Sequence, residues 1–422
     1  MTRSAWRDAL RPLSYPTFRL LLAGRSADNL AHAIAPIALA FAVLDLGGTP
    51  SQLGLVLAAR AVPTVVLVLF GGVLADRLPR HLVLVAANIV GATTQALVAV
   101  LLLTGGAEIW MLAAIEVVNG SASAFLFPAA SGLTPQTVPA AHLQQANALV
   151  RLTHNGAFIT GAAGAGLLVA TAGPGWAFAI DALLYLAGAM LLSRLRIERT
   201  ERLERTSTLA DLRAGWTEFS SRTWLWVVVL VFAFVNAAHA ASVQTLGPVV
   251  ADETIGRAAW GAVLAATAVG MVAGGVIALR RTWSRPLFVG VATVLLEVPL
   301  MLLLGLQPHV LTLVAAAFVA GVGLETFAVA WDVSMQSNIP QDRLSRVYAY
   351  DWFGSLVFIP IGQILAGPVS DAVGVRPTIV GAGLVVLVAT LAALCVPSIR
   401  HLQRADLADA DEEEPSLTGP RA

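Results

Sequence analysis

The 422-residue chain contains no lysine: its 26 basic side chains, set against 26 acids, are all arginines. Without lysine there is no G-x-x-x-x-G-K-S/T phosphate loop, so ATP-driven work by this chain is excluded. A lone Cys395 rules out an internal disulfide framework. No His-Glu-x-x-His sequence and no paired cysteines offer a metal site. The glycine-rich stretch Gly161–Gly166 follows no strand pattern, so no dinucleotide site is implied and no cofactor is expected. Charge is scarce as well. Only 12% of residues are charged, about half the roughly 25% of a soluble domain, which excludes a disordered chain and argues against a water-soluble enzyme. A net charge of zero gives no basic footprint for nucleic acid.

What fills the chain is apolar sequence, 57% of all residues. Stretches long enough to cross a bilayer, about 20 residues each, fall at 18–44, 53–75, 82–104, 108–133, 143–171, 175–193, 224–250, 258–279, 286–306, 309–338, 344–371 and 376–397. Runs such as Val62–Ala75 lack the alternation of a spanning β-barrel. The expected fold is therefore an all-α polytopic membrane protein of twelve transmembrane helices. The first span contains Arg25, Asp28, Asn29 and His32 and is too long for a cleavable signal peptide.

Arginine placement sets the orientation. Connections on one side hold 21 of the 26 arginines; those on the other hold only Arg257 and Arg376, and Arg25, Arg60 and Arg151 fall inside spans. Positive charge stays inside, so both termini are expected in the cytoplasm of a bacterial cell whose inner membrane holds the chain. The spans group into an N-terminal bundle over 1–193 and a C-terminal bundle over 224–398. Between them lies an Arg- and Glu-rich linker, 194–223. Its Leu209, Leu212, Trp216 and Phe219 recur at helical spacing and suit an amphipathic surface helix. The acidic end, 399–422, reads as disordered.

The halves resemble each other at an offset of about 200 residues. Gly71-Gly72-Val73-Leu74-Ala75 matches Gly274-Gly275-Val276-Ile277-Ala278, Asn119-Gly120 matches Ala320-Gly321, and Val138-Pro139 matches Ile339-Pro340. These repeats predict two pseudo-symmetric six-helix bundles.

After the second span the chain reads Gly72-Val73-Leu74-Ala75-Asp76-Arg77-Leu78-Pro79-Arg80-His81. This resembles the G-x-x-x-D-R/K-x-G-R/K-R/K signature of the major facilitator superfamily. Gly72, Asp76, Arg77 and Arg80 match, while Pro79 and His81 depart from the pattern. The resemblance covers about residues 15–398 and implies a conformational switch at these residues. An acid at a helix C-terminus opposes the macrodipole and needs a compensating partner, which the family supplies from the opposite half. The equivalent C-terminal site has Leu279 in place of the acid, so the latch is expected on one side only. Gly161-Ala162-Ala163-Gly164-Ala165-Gly166 partly matches an exporter motif of span five, with Ala162 where the family has Pro. Glu116 stands four residues before Gly120, where exporters often carry Arg. The Phe18-Arg19-Leu20-Leu21, Ala23-Gly24-Arg25 and Phe178–Ala182 stretches resemble the branch of macrolide-efflux and enterobactin exporters.

Ionisable residues inside spans are costly and usually functional. Arg25, Asp28 and His32 share a face of the first span, with Asp28 about 15 Å deep. Arg151 and His154 share a face of span five, Asn236 and His239 of span seven, and Glu325 and Asp332 of span ten; Glu116, Asp181, Glu297 and Asp351 stand singly. Asp28 can pair with Arg25 or Arg151, and Glu297 precedes Pro299, where a helix can break. Acids left unpaired are candidates for proton carriage, with Asp28, Glu325 and Asp351 foremost. Phe41, Phe125, Phe127, Trp331, Trp352 and Phe353 nearby suit an amphipathic ligand. The expectation is a monomeric, proton-coupled exporter of an amphiphilic small molecule. The alternatives are a nutrient importer by proton symport, or a receptor or lipid-handling protein that moves no solute.

Overall fold

The computed structural model describes residues 10–77, 79–131, 133–195, 216–281 and 283–403. Most of the linker, the acidic tail, and the side chains of Gly72, Asp76 and Arg77 lie outside the described residues. Among the described residues, eleven helices are long and apolar enough to cross a membrane, and a shorter apolar helix, Ile109–Ser123, makes the twelfth. In order they are α1 Pro16–Asp45, α2 Pro50–Arg77, α3 Arg80–Thr104, α4 Ile109–Ser123, α5 Leu143–Ala172, α6 Pro174–Ser193, α7 Thr223–Glu253, α8 Arg257–Arg280, α9 Pro286–Leu306, α10 Val310–Asn338, α11 Gln341–Val373 (in two pieces) and α12 Val375–Leu394.

Four spans depart from a regular α-helix, two by a break and two by an irregular turn, each beside a proline whose missing N–H leaves a carbonyl without its helical partner; in α9 this is where the sequence already allowed a break at Pro299. The expected 108–133 helix stops at Ser123 and resumes as Leu126–Ser131, since Pro128 cannot bond Ala124. Pro248 follows a wide π-type turn over Ala240–Leu246 in α7. Pro299 follows a tight turn over Val294–Glu297 in α9. Pro360 follows the break between Gln341–Leu356 and Ile359–Val373 in α11. Pro36 and Pro63 stay inside continuous helices.

In the N-terminal half α1 packs on α5 and α6, α3 on α6, and α2 on α4; in the C-terminal half α8 packs on α10, and α9 on α10 and α12. The sequence repeat is also a packing repeat. Gly120 of α4 lies against the backbone of Arg60 in α2, and Gly321 of α10 against that of Thr267 in α8, so neither has room for a Cβ.

The halves meet through α5 with α8 and α2 with α11. These contacts concentrate at the arginine-poor end. A methyl on Gly166 would fall 2.6 Å from the Cα of Gly261, and Ser51 donates to Asp371 at 2.8 Å. Arg257 bonds Asp45 of the other half at 2.5 Å and its own half's Asp252 at 2.7 Å, with its guanidinium 5.0 Å from the Phe41 ring centre. Five connections at this end turn on a glycine at positive φ (Gly47, Gly105, Gly173, Gly256 and Gly374), the left-handed conformation that only glycine adopts cheaply.

Candidate transport site

The expected residues fall into two groups. In the N-terminal half, α1, α2, α3, α4 and α6 bring Asp28, His32, Glu116 and Asp181 into one buried polar cluster. Glu116 and Asp181 are both 0% exposed. Glu116 pairs with Arg60 at 3.6 Å and accepts from Gln95 at 3.4 Å. Arg60 is also in contact with Tyr185, and Asp181 lies within range of its charge without a direct ion pair. The Tyr185 hydroxyl lies 3.4 Å from Nδ1 of His32, and that nitrogen lies 2.9 Å from the Asp28 carbonyl. Asp28 takes its hydrogen bond from Asn88, at 3.4 Å, and no direct ion pair with Arg25 or Arg151 is present among the described residues.

Small residues make this convergence possible. Gly188 leaves room for Asp28 and Asn88, and Gly91 lies flat against the Tyr185 ring. Buried carboxylates with incomplete hydrogen bonding are concentrated in this group. Both carboxylate oxygens of Asp181, one of Asp28 and one of Glu116 have no hydrogen-bond partner. Such groups are expensive in a low-dielectric interior.

The C-terminal half holds a different arrangement. Phe232 stacks on Phe327 at 3.9 Å between ring centres, Phe327 on Trp331 at 6.1 Å, and Trp331 meets Trp224 edge-on at 5.7 Å. The Trp331 indole N–H donates to Asp351 at 3.0 Å, and Ser355 donates to its other oxygen at 3.3 Å. Tyr348 donates to Asp332 at 2.9 Å, and Asn236 to the Ser355 carbonyl at 2.8 Å. His239 is in close contact with buried Glu297 at the α9 turn. Asp332 and Asp351 are thus hydrogen-bonded and flanked by aromatic rings, while Glu297 keeps one buried oxygen without a partner.

Arg25 and Glu325 are half-buried, while Arg151 and His154 are exposed; none makes a direct ion pair among the described residues. Glu325 lies on the α10 face that meets Gly274 and Gly275 of α8. Sequence reading did not single out Arg60 as a site residue, nor Asn88, Gln95 and Tyr185. The available signal was amide side chains inside an apolar run. A surface groove of about 580 Å³ near the arginine-poor end, lined by Leu46, Gln52, Glu108 and Trp110, holds none of these residues.

At the arginine-rich end, Glu218 ties the linker's last turn to the second half. It accepts from Arg343 at 2.6 Å and from Arg222 at 2.5 Å, and Arg222 also donates to the Asn338 carbonyl at 2.6 Å. The hydrogen bond from Arg343, then that from Arg222, hold the Glu218 carboxyl below the usual glutamate range. Trp216, Phe219 and Tyr350 pack ring to ring beside it.

Twelve spans in two repeated halves, joined at one end and enclosing polar groups at membrane depth, define a secondary-transporter fold. Residues 7–418 match the family model described as transmembrane secretion effector, and the chain belongs to that family of the major facilitator superfamily. This is a family of transporters rather than of enzymes. The chain is 28% identical over 408 residues to the multidrug efflux pump Tap of Mycolicibacterium fortuitum, covering 93% of this chain and 98% of that one. It is 21% identical over 399 residues to macrolide efflux protein A of Streptococcus pyogenes, covering 92% and 97%. The nucleoside transporter NupG shares the fold, with a TM-score of 0.70 at 12% identity over 90% of this chain and 98% of that one.

Proposed function

We propose that the protein exports an amphiphilic small molecule across the bacterial inner membrane by proton antiport, as a monomer with both termini in the cytoplasm. The observation that carries export is the end-to-end likeness to a multidrug efflux pump. The arginine bias supports the orientation. The cross-half ties at the arginine-poor mouth fit the inward-facing member of an alternating cycle. In that cycle the rings Phe232, Phe327 and Trp331, with Asp332 and Asp351 beside them, receive the apolar body and any positive charge of the substrate. The buried carboxylates of the first half supply the proton side. Gly72, Asp76, Arg77 and Arg80 switch the cytoplasmic mouth, and the bundles 1–193 and 224–398 rock about the 194–223 linker.

A panel of amphiphilic drugs tested in a host lacking its own pumps, with and without an uncoupler, decides the reading. Uncoupler-sensitive efflux that depends on this gene is the expected result. Efflux indifferent to the uncoupler would leave export standing and remove antiport; uptake that depends on the gene would replace both with symport.

A further inference from the structure

We propose that the coupling proton resides in a site of one arginine and two carboxylates inside the N-terminal half, where Glu116 and Asp181 compete for Arg60 and the unchosen carboxylate carries the proton. This rests on the antiport reading above and moves the proton away from Asp28, Glu325 and Asp351.

The first ground is a charge count. Arg60 is the guanidinium in this cluster, and it is paired with Glu116 at 3.6 Å. Asp181 makes no direct ion pair with that guanidinium but lies within range of its charge, is 0% exposed, and has no hydrogen-bond partner on either oxygen. One cation cannot neutralise two buried carboxylates. A proton must stand in for the missing cation, or the site carries a net negative charge in a low-dielectric interior. The other groups around it do not supply that charge. On α1, Asp28 adds an acid facing Asn88, with Arg25 a turn away; His32 meets the Asp28 carbonyl and the Tyr185 hydroxyl, both through Nδ1. From α5, the exposed His154 makes no ion pair with either carboxylate among the described residues. From α3 come only the amides of Asn88 and Gln95.

The second ground is the repeat. Arg60 stands ten residues after the first residue of α2, Pro50, and Thr267 ten after that of α8, Arg257. Glu116 and Ala317 each stand seven after the first residues of α4 and α10, Ile109 and Val310. Asp181 and Ala382 each stand seven after those of α6 and α12, Pro174 and Val375. The same fold is therefore built in the second half with Thr, Ala and Ala at these places, so helix packing does not require the charges. The third ground is access. Arg60 is 14% exposed while both carboxylates are sealed, so a proton reaches them past the guanidinium.

The step is a simple proton binding. One carboxyl O–H bond forms, leaving Arg60 positive, one carboxylate negative and one carboxylic acid neutral, for a net charge of zero. Loss of the proton leaves a net charge of minus one, a state that favours movement of Arg60 between its partners and, with it, of α2 against α4 and α6.

Infrared difference spectra of the full chain in liposomes, taken between mildly acidic and alkaline pH without substrate, test this. The wild type should show a buried protonated-carboxyl C=O band. Asp181→Asn and Glu116→Gln should each abolish or move it, Asp181→Glu should restore it, and Asp351→Asn should leave it in place. The helical amide band in the same spectra reports folding. A wild type without the band, or a band untouched in both Asp181→Asn and Glu116→Gln, overturns the site. The drug-panel assay is scored separately on the wild type, so loss of the antiport reading is seen there whatever the spectra show.

Discussion

At matching steps of matching helices, the first half sets Arg60, Glu116 and Asp181 where the second sets Thr267, Ala317 and Ala382. The backbone contact beside them is nonetheless the same in both, Gly120 on α2 and Gly321 on α8. Duplication kept the scaffold and let the side chains diverge. One half became rich in buried, under-bonded charge, and the other in stacked aromatic rings whose neighbouring acids are hydrogen-bonded. Charge without partners can change its protonation; rings and bonded acids present a fixed surface. Under the proposed function, ion handling would fall to one bundle and ligand contact to the other, with their rocking joining the two.

The largest expected effect comes from making the halves unequal in a new way. Arg60→Ala leaves Glu116 sealed and unpaired, which should cost about 3–5 kcal/mol and lower the thermal unfolding temperature in detergent, followed by helical circular dichroism. Grafting the second half's residues, Arg60→Thr with Glu116→Ala and Asp181→Ala, removes every charge at once. Ion pairs replaced by apolar residues are often neutral for stability, so the graft should recover most of the loss while abolishing uncoupler-sensitive export. A graft as unstable as Arg60→Ala would mean that the charges hold the bundle together.

On the aromatic side, Trp331→Phe keeps the stacking but removes the N–H that Asp351 accepts. A buried acceptor deprived of its donor costs about 1–3 kcal/mol. Here the expected signature is weaker substrate binding with the proton-dependent carboxyl band intact, the reverse of the Asp181→Asn pattern.

A smaller effect is expected where the halves touch. Arg257 and Asp45 are partly exposed, so their pair is worth about 1 kcal/mol or less. Arg257→Ala should shift the conformational balance by a few-fold towards an open arginine-poor mouth, seen as longer distances between spin labels placed on α1 and α8. Unchanged distances would show that the Gly166–Gly261 approach and the Ser51–Asp371 bond close that end without the ion pair.

Much of this was legible in the sequence because hydrophobic length is a strong signal. The twelve apolar runs appear as helices, and the duplication seen in Asn119-Gly120 and Ala320-Gly321 reappears as packing. The α9 turn was legible in Glu297 before Pro299, but the irregularities in α4, α7 and α11 were less so. Proline alone does not decide the matter: Pro36 and Pro63 are absorbed without a break while Pro248 and Pro360 are not. The site was half legible. Periodicity along one helix placed Asp28 with His32, but Arg60, Glu116 and Asp181 sit on three helices, and no spacing within a helix relates them. Their signal lay in the repeat, read position by position: charge in one half against Thr and Ala in the other. Asn88, Gln95 and Tyr185 were hidden for a simpler reason. Uncharged polar residues are common enough in spans not to stand out until their partners are known.

The smallest expected effect concerns the clamp at the arginine-rich end, which has no described counterpart on the first half. Glu218 is covered by neighbouring side chains but lies at the end of the bundle, where desolvation offsets the two guanidiniums only in part. Its carboxyl is held below the ordinary glutamate range, so the folded state binds a proton there less readily than the unfolded one. Stability from the clamp is therefore fully present above the ordinary glutamate range and drains away as pH falls through the depressed folded value. With Arg343 half-exposed and Arg222 partly so, screening holds the contribution to about 1 kcal/mol or less. Protection factors of the amides over residues 216–221, corrected for the intrinsic pH dependence of exchange, should fall on acidification in the wild type. In Glu218→Gln the same segment should exchange faster at neutral pH and lose most of that pH dependence. If the variant stays as protected as the wild type, the ring contacts among Trp216, Phe219 and Tyr350 hold the linker's end by themselves, and the clamp is incidental.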